Sequence, residues 1–154
     1  MPMATTAPKT PLTVLRVLLT LGIAESFVHY LDNTLRYRDY TGPNPPAVTS
    51  WIAQWMIPVS WFVFTAVGLL AYRRFRQGRL SEAAGYLAIY SVSGLISIGH
   101  YVGISINDLS VFQNTFVFLD IALGIAVLSF AIWTARYARD AVADRPAPVA
   151  SGAR

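Results

Sequence analysis

Glu25 and His29 stand four residues apart, and His100 and Asp120 each sit inside a different apolar stretch of the chain. On a helix, residues i and i+4 share a face, so Glu25 and His29 can bond each other or grip one ligand together. Carboxyl and imidazole groups gathered in one place can pass protons as general acid and general base. The acid–base reading takes Glu25, His100 and Asp120 as the reacting groups. The same side chains are acceptable ligands for zinc or iron, with Glu25, His29, His100 and Asp120 as the candidates. No HExxH, HxH or ExxH spacing supports that reading, so no metal is assigned. Haem between His29 and His100 would need the two rings at one depth, which their positions do not give. The competing explanation is a knot of ion pairs and hydrogen bonds that only ties helices together. The sequence names no cofactor.

Helices must carry these groups. Apolar stretches run at about 12–31, 51–72, 83–106 and 112–133. Each is long enough to cross a bilayer, since roughly 20 helical residues span about 30 Å. Measured from the predicted outer ends, Glu25 and His100 lie roughly 9 Å deep and Asp120 roughly 12 Å deep. His29 and Gln54 lie roughly one turn higher. A charge in hydrocarbon costs about 2.5–3.5 kcal/mol on insertion scales, so such residues face a bundle interior or a wet cavity. The expected site is a polar funnel open to the outside, rimmed by Asp32, Asn33, Asn107, Asp108 and Asn114.

Composition agrees with a membrane protein. Of 154 residues, 55% are hydrophobic and 13% charged, against about 25% charged in soluble domains. Mean hydropathy is +0.47. There is no cysteine, which excludes disulfides, thiolate metal sites, iron–sulfur clusters and thiol nucleophiles. The net charge of +4 reflects topology and not nucleic-acid binding. Lys9, Arg16, Arg73, Arg74, Arg76, Arg79, Arg136, Arg139, Arg145 and Arg154 fall on one side of the spans, and only Arg36 and Arg38 on the other. By the positive-inside rule both termini are cytoplasmic. Span 1 lacks a small-x-small cleavage site and reads as a retained helix, not a signal peptide.

The expected fold class is all-α: an integral membrane four-helix antiparallel bundle, residues 12–139, joined by short connections. Residues 1–11 and 140–154 read as loose tails. The proline-rich run 41–50 reads as non-helical, with Ser50 as a cap for span 2.

Interior faces follow from spacing. They hold Gly22, Glu25, His29 and Asp32 in span 1, and Gln54, Pro58, Trp61, Thr65 and Gly68 in span 2. Span 3 contributes Tyr86, Tyr90, Ser93, Ser97, His100 and Asn107; span 4 contributes Gln113, Asp120 and Gly124. Ser93 and Ser97 read as packing residues, Gly99 and Gly103 as a close-approach pair, and Pro58 as a kink. Trp51, Trp55 and Trp133 fit interfacial belts. His29, Gln54, Trp55, Trp61, Tyr90 and Tyr101 are the candidate substrate-binding residues, because an aromatic pocket with few polar groups suits a small lipophilic molecule. The functional expectation is therefore a multi-pass cell-membrane protein that binds or converts a lipophilic substrate by acid–base chemistry. Its alternatives are a non-catalytic accessory or scaffolding subunit, a haem- or metal-binding protein, and a proton-coupled oligomer. Expected partners are the bilayer, a lipophilic small molecule, and a second copy or a larger membrane complex.

Overall fold

A computed structural model describes residues 9–42 and 50–143. Among these the chain is all-helical in class, with no strand. Helix α1 spans Lys9–Leu35, with Pro11 in its first turn, where a missing donor costs nothing. A five-residue helix, α2, spans Tyr37–Thr41 and ends at Gly42 with φ 67°. Helix α3 spans Met56–Arg76, α4 Leu80–Leu95 and α5 Val111–Ala143. Two 3₁₀ segments, Ile96–Val102 and Ile106–Asp108, link α4 to α5.

Three helical stretches are long and apolar enough to cross a membrane: Thr10–Leu35, Met56–Arg76 and Val111–Ala141. Helix α4 is shorter, and its axis continues only as 3₁₀ turns, so the single helix expected at 83–106 does not form. Span 2 is also shifted. Residues 51–55 are not part of α3, whose cap is Trp55 and not Ser50. Pro58 then falls in the first turn of α3, where it removes no needed hydrogen bond and introduces no kink. At the C-terminal end α5 runs past the predicted boundary to Ala143, and α1 begins at Lys9, so residues 9–11 and 140–143 are helical. Residues 1–8 and 144–154 of the expected tails, and 43–49 of the proline-rich run, lie outside the described residues.

The four long helices pack in a ring: α1 on α3 and α5, and α4 on α3 and α5. Their outward faces carry large apolar side chains such as Leu21, Phe27, Phe62, Leu69, Phe118 and Ile125. At one end the interior is mostly apolar, with Leu15, Leu19, Ala71, Phe75, Ala83, Leu87, Val127 and Ala131 in one buried cluster; the buried Thr134 hydroxyl is satisfied by the Phe130 carbonyl. The closest helix approach is between α4 and α5. A Cβ at Gly94 would stand 2.3 Å from the Asp120 carbonyl oxygen, and one at Gly124 2.9 Å from the Leu95 nitrogen. The close-contact glycines are thus Gly94 and Gly124, whereas a Cβ at Gly99 would meet nothing within 4 Å. Tyr90 fills the space between three helices. A Cβ at Gly22 would lie 3.0 Å from its hydroxyl, and one at Gly68 3.0 Å from its ring.

Candidate functional site

At the other end of the ring the interior is polar. Asp120 projects from α5 and accepts a hydrogen bond from the Ser97 hydroxyl at 2.8 Å. His29 Nε2 lies 3.9 Å from the same carboxylate oxygen, beyond hydrogen-bond reach. Both His29 and Asp120 are almost fully enclosed, at 1% and 2% exposure. The Glu25 carboxyl adjoins that of Asp120. Even so, neither Glu25 oxygen and neither His29 ring nitrogen has a hydrogen-bond partner of acceptable geometry, although all four atoms are buried.

His100 stands one turn beyond Ser97. Its ring lies 5.5 Å from that of His29, centroid to centroid, and its Nε2 accepts from the Asn33 amide at 3.2 Å. Tyr40 of α2 closes the assembly. Its ring packs 5.6 Å from His29 and 4.8 Å from His100. Its hydroxyl donates to Asp32 at 2.9 Å, and Asp32 also pairs with Arg36 at 3.3 Å. Burial, reinforced by that bond to Asp32, pushes the Tyr40 hydroxyl well above the ordinary tyrosine range. The expected funnel is therefore covered at its mouth, with Tyr40 as the cover.

The four expected residues do gather, but their roles differ from the sequence reading. His29, not His100, is the imidazole beside Asp120, while His100 is engaged by Asn33 and Tyr40. Ser97, expected only to pack, bonds the carboxylate. The 3₁₀ segment Ile96–Val102 accounts for the spacing: residues i and i+3 eclipse and each rises about 2 Å, so His100 shares the face of Ser97 but stands about 6 Å further along the axis.

The aromatic and amide residues expected to bind substrate are placed elsewhere. Gln54 is exposed and donates to the Thr34 carbonyl at 2.7 Å, tying the turn before α3 to α1. Trp55 is exposed and lines no interior space. Trp61 donates to the buried Ser26 hydroxyl at 3.2 Å. Tyr101 donates to Asn114 at 2.7 Å and helps to cover a small outer core of Tyr40, Leu109 and Val117. Tyr90 borders a cavity near the cluster. That crevice is lined by Gly22, Tyr90, Ser93, Gly94, Asp120, Leu123, Gly124 and Val127 among others, and holds about 10 Å³ within a half-open space of about 220 Å³. The enclosed part has room for about one water.

Among the described residues, no three His, Asp or Glu side chains form a group that could hold a metal ion. Tyr40 is the residue that sequence reasoning missed. It lies beyond the first span, in a short polar helix with no apolar period to announce it. No protein-family model, curated protein or solved structure matches this chain.

Proposed function

We propose that the chain is a multi-pass protein of the cell membrane, a four-helix antiparallel bundle with both termini in the cytoplasm, whose Glu25–His29–Asp120 cluster is an acid–base site for a small lipophilic molecule. Three helices long and apolar enough to cross a bilayer support the membrane setting. The fourth crossing would be α4 with the 3₁₀ segment after it. Sixteen α and seven 3₁₀ residues reach about 38 Å, more than the roughly 30 Å of hydrocarbon. The bias of basic residues supports the orientation.

One observation carries the functional part: four buried polar atoms, on Glu25 and His29, go without partners beside a second carboxyl. Buried polar groups are nearly always paired, and an unpaired one needs an explanation. A ligand supplies one. Ser97 already donates to Asp120, so Asp120 is the acceptor of the pair and Glu25 the group left to donate. The crevice below Asp120, walled by Leu123 and Val127, offers an apolar approach between α1 and α5. The inner cluster around Phe75 and Leu87 leaves no polar route through, which opposes a carrier.

A lipophilic carbodiimide tests this reading, because it modifies protonated carboxyls that it can reach from the lipid. Glu25 should be modified in the intact protein and the Glu25→Gln variant spared at that position. Both Glu25→Gln and Asp120→Asn should keep their helicity and unfolding temperature. An unreactive Glu25, together with a loss of about 3–5 kcal/mol on neutralising either carboxyl, would establish a structural knot instead. The small enclosed volume favours that second reading, an accessory subunit whose charges pair within the bundle, since ligand pockets are about 300–1,000 Å³.

A further inference from the structure

The opposite end of the bundle holds a second arrangement that the acid–base cluster does not use. Arg16 of α1 donates to the Tyr72 hydroxyl through Nε at 3.4 Å and Nη2 at 3.3 Å. Arg76, one turn beyond Tyr72 on α3, places its guanidinium 5.9 Å from the centre of the same ring. Two positive groups from two helices are thus held on one tyrosine, one at its edge and one over its face. Like charges drawn together without a counter-ion repel each other. Glu82, an acid of this end, is engaged by Arg74 and Arg79. No carboxylate lies within 4 Å of Arg16 or Arg76 among the described residues.

We propose that Arg16, Tyr72 and Arg76 form a binding site for the phosphodiester of an anionic phospholipid in the cytoplasmic leaflet. A guanidinium has five N–H donors, and Arg16 spends two of its own on Tyr72. The remainder suit the bidentate geometry of a phosphate. Both arginines are exposed and Tyr72 is half-buried, so the group is accessible from the bilayer. Further along the α1–α3 seam, Leu69, Phe62 and Phe27 expose apolar surface on which the acyl chains of the same lipid would lie. Basic sites between membrane helices at this level suit acidic head groups. The leaflet follows from the topology proposed above; the site itself belongs to this end of the ring and is independent of the carboxyl cluster.

Native mass spectrometry of the full chain in mild detergent tests the proposal, with phosphatidylglycerol and phosphatidylcholine added in equal amounts. The intact protein should retain phosphatidylglycerol preferentially. The Arg16→Gln/Arg76→Gln variant should lose roughly tenfold or more of that retention, and Tyr72→Phe a smaller share. Arg73→Gln, an exposed neighbour not held on Tyr72, should change little. Circular dichroism of each variant confirms that the fold persists. Equal retention of the two lipids, or an equal loss in Arg73→Gln, would mean a diffuse basic surface and overturn the proposal. Displacement of the lipid by millimolar inorganic phosphate would overturn it in favour of a soluble-anion site.

Discussion

The two ends of the helix ring are held together by different physics. At the basic end, Leu15, Leu19, Phe75, Leu87 and Val127 fill the interior completely, and α4 is a regular helix. At the polar end, α4 gives way to 3₁₀ turns and the contacts are directional: Ser97 to Asp120, Asn33 to His100, Tyr40 to Asp32. Lipid tails are as apolar as leucine, so membrane helices associate through packing and hydrogen bonds and not through the exclusion of water. The apolar end uses the first device and the polar end the second. The unpaired buried atoms of Glu25 and His29 lie at the polar end, whereas the buried Arg74 Nε of the basic end, which has no hydrogen bond, stands 3.4 Å from the Glu82 carboxylate.

Gly94 lies where the two regimes meet, and its substitution gives the largest expected effect. Gly94→Ala would drive a methyl into the Asp120 carbonyl, 2.3 Å away, forcing α4 from α5. The expected loss is about 3 kcal/mol or more, read as thermal unfolding in detergent, with Gly99→Ala unchanged as its control. Equal effects at the two glycines would erase the distinction between close packing and open turn.

Next in size is Leu87→Ala in the apolar end, expected to cost about 2–3 kcal/mol through the cavity it leaves. In the fraction still folded, carbodiimide labelling of Glu25 should be unaltered. A change in labelling would mean that the two ends are coupled and not separate.

At the cover, Tyr40→Phe keeps the ring on both imidazoles and deletes one hydrogen bond. It should cost about 1 kcal/mol, whereas Tyr40→Ala should open the enclosed His29 to an imidazole-directed acylating reagent supplied from outside. A reactive His29 in the intact protein would contradict the closed mouth.

The smallest effect concerns pH. The folded state raises the Tyr40 hydroxyl above its ordinary value of 10.0. A raised group contributes stability that is fully present below the unfolded value and is lost as pH climbs through the folded one. Tyr40 should therefore contribute no pH dependence between about 6 and 9, and a loss only in strong alkali. Tyr40→Phe should lessen that alkaline loss, and unfolding curves for the two proteins would show it.

Much of this was legible in the chain. Three-and-four spacing marked Gly22, Glu25, His29, Asp120 and Gly124 as interior, because a helix that hides its polar residues must align them on one stripe. The spacing misled where the helix stops. Residues 51–55 continue the apolar composition of α3 without its geometry, so spacing places Gln54 on an interior face that it does not have. The 3₁₀ turn after Leu95 kept Ser97 and His100 inward but exchanged the parts played by the two histidines. Tyr40 carries no periodic signal, since a five-residue helix is too short to show one.

Tyr90 bears on how the long helices slide. With its hydroxyl at Gly22 and its ring on Gly68, it works like a key in two notches cut into neighbouring rods. Moving α4 by one residue along either rod would swing Tyr90 off the notch and onto a side chain. The depth of every group on α1 and α3 is thereby indexed against α4. With Gly94 and Gly124 seating α4 on α5, the level at which Glu25 meets Asp120 follows from an aromatic ring and two glycines, and not from either acid.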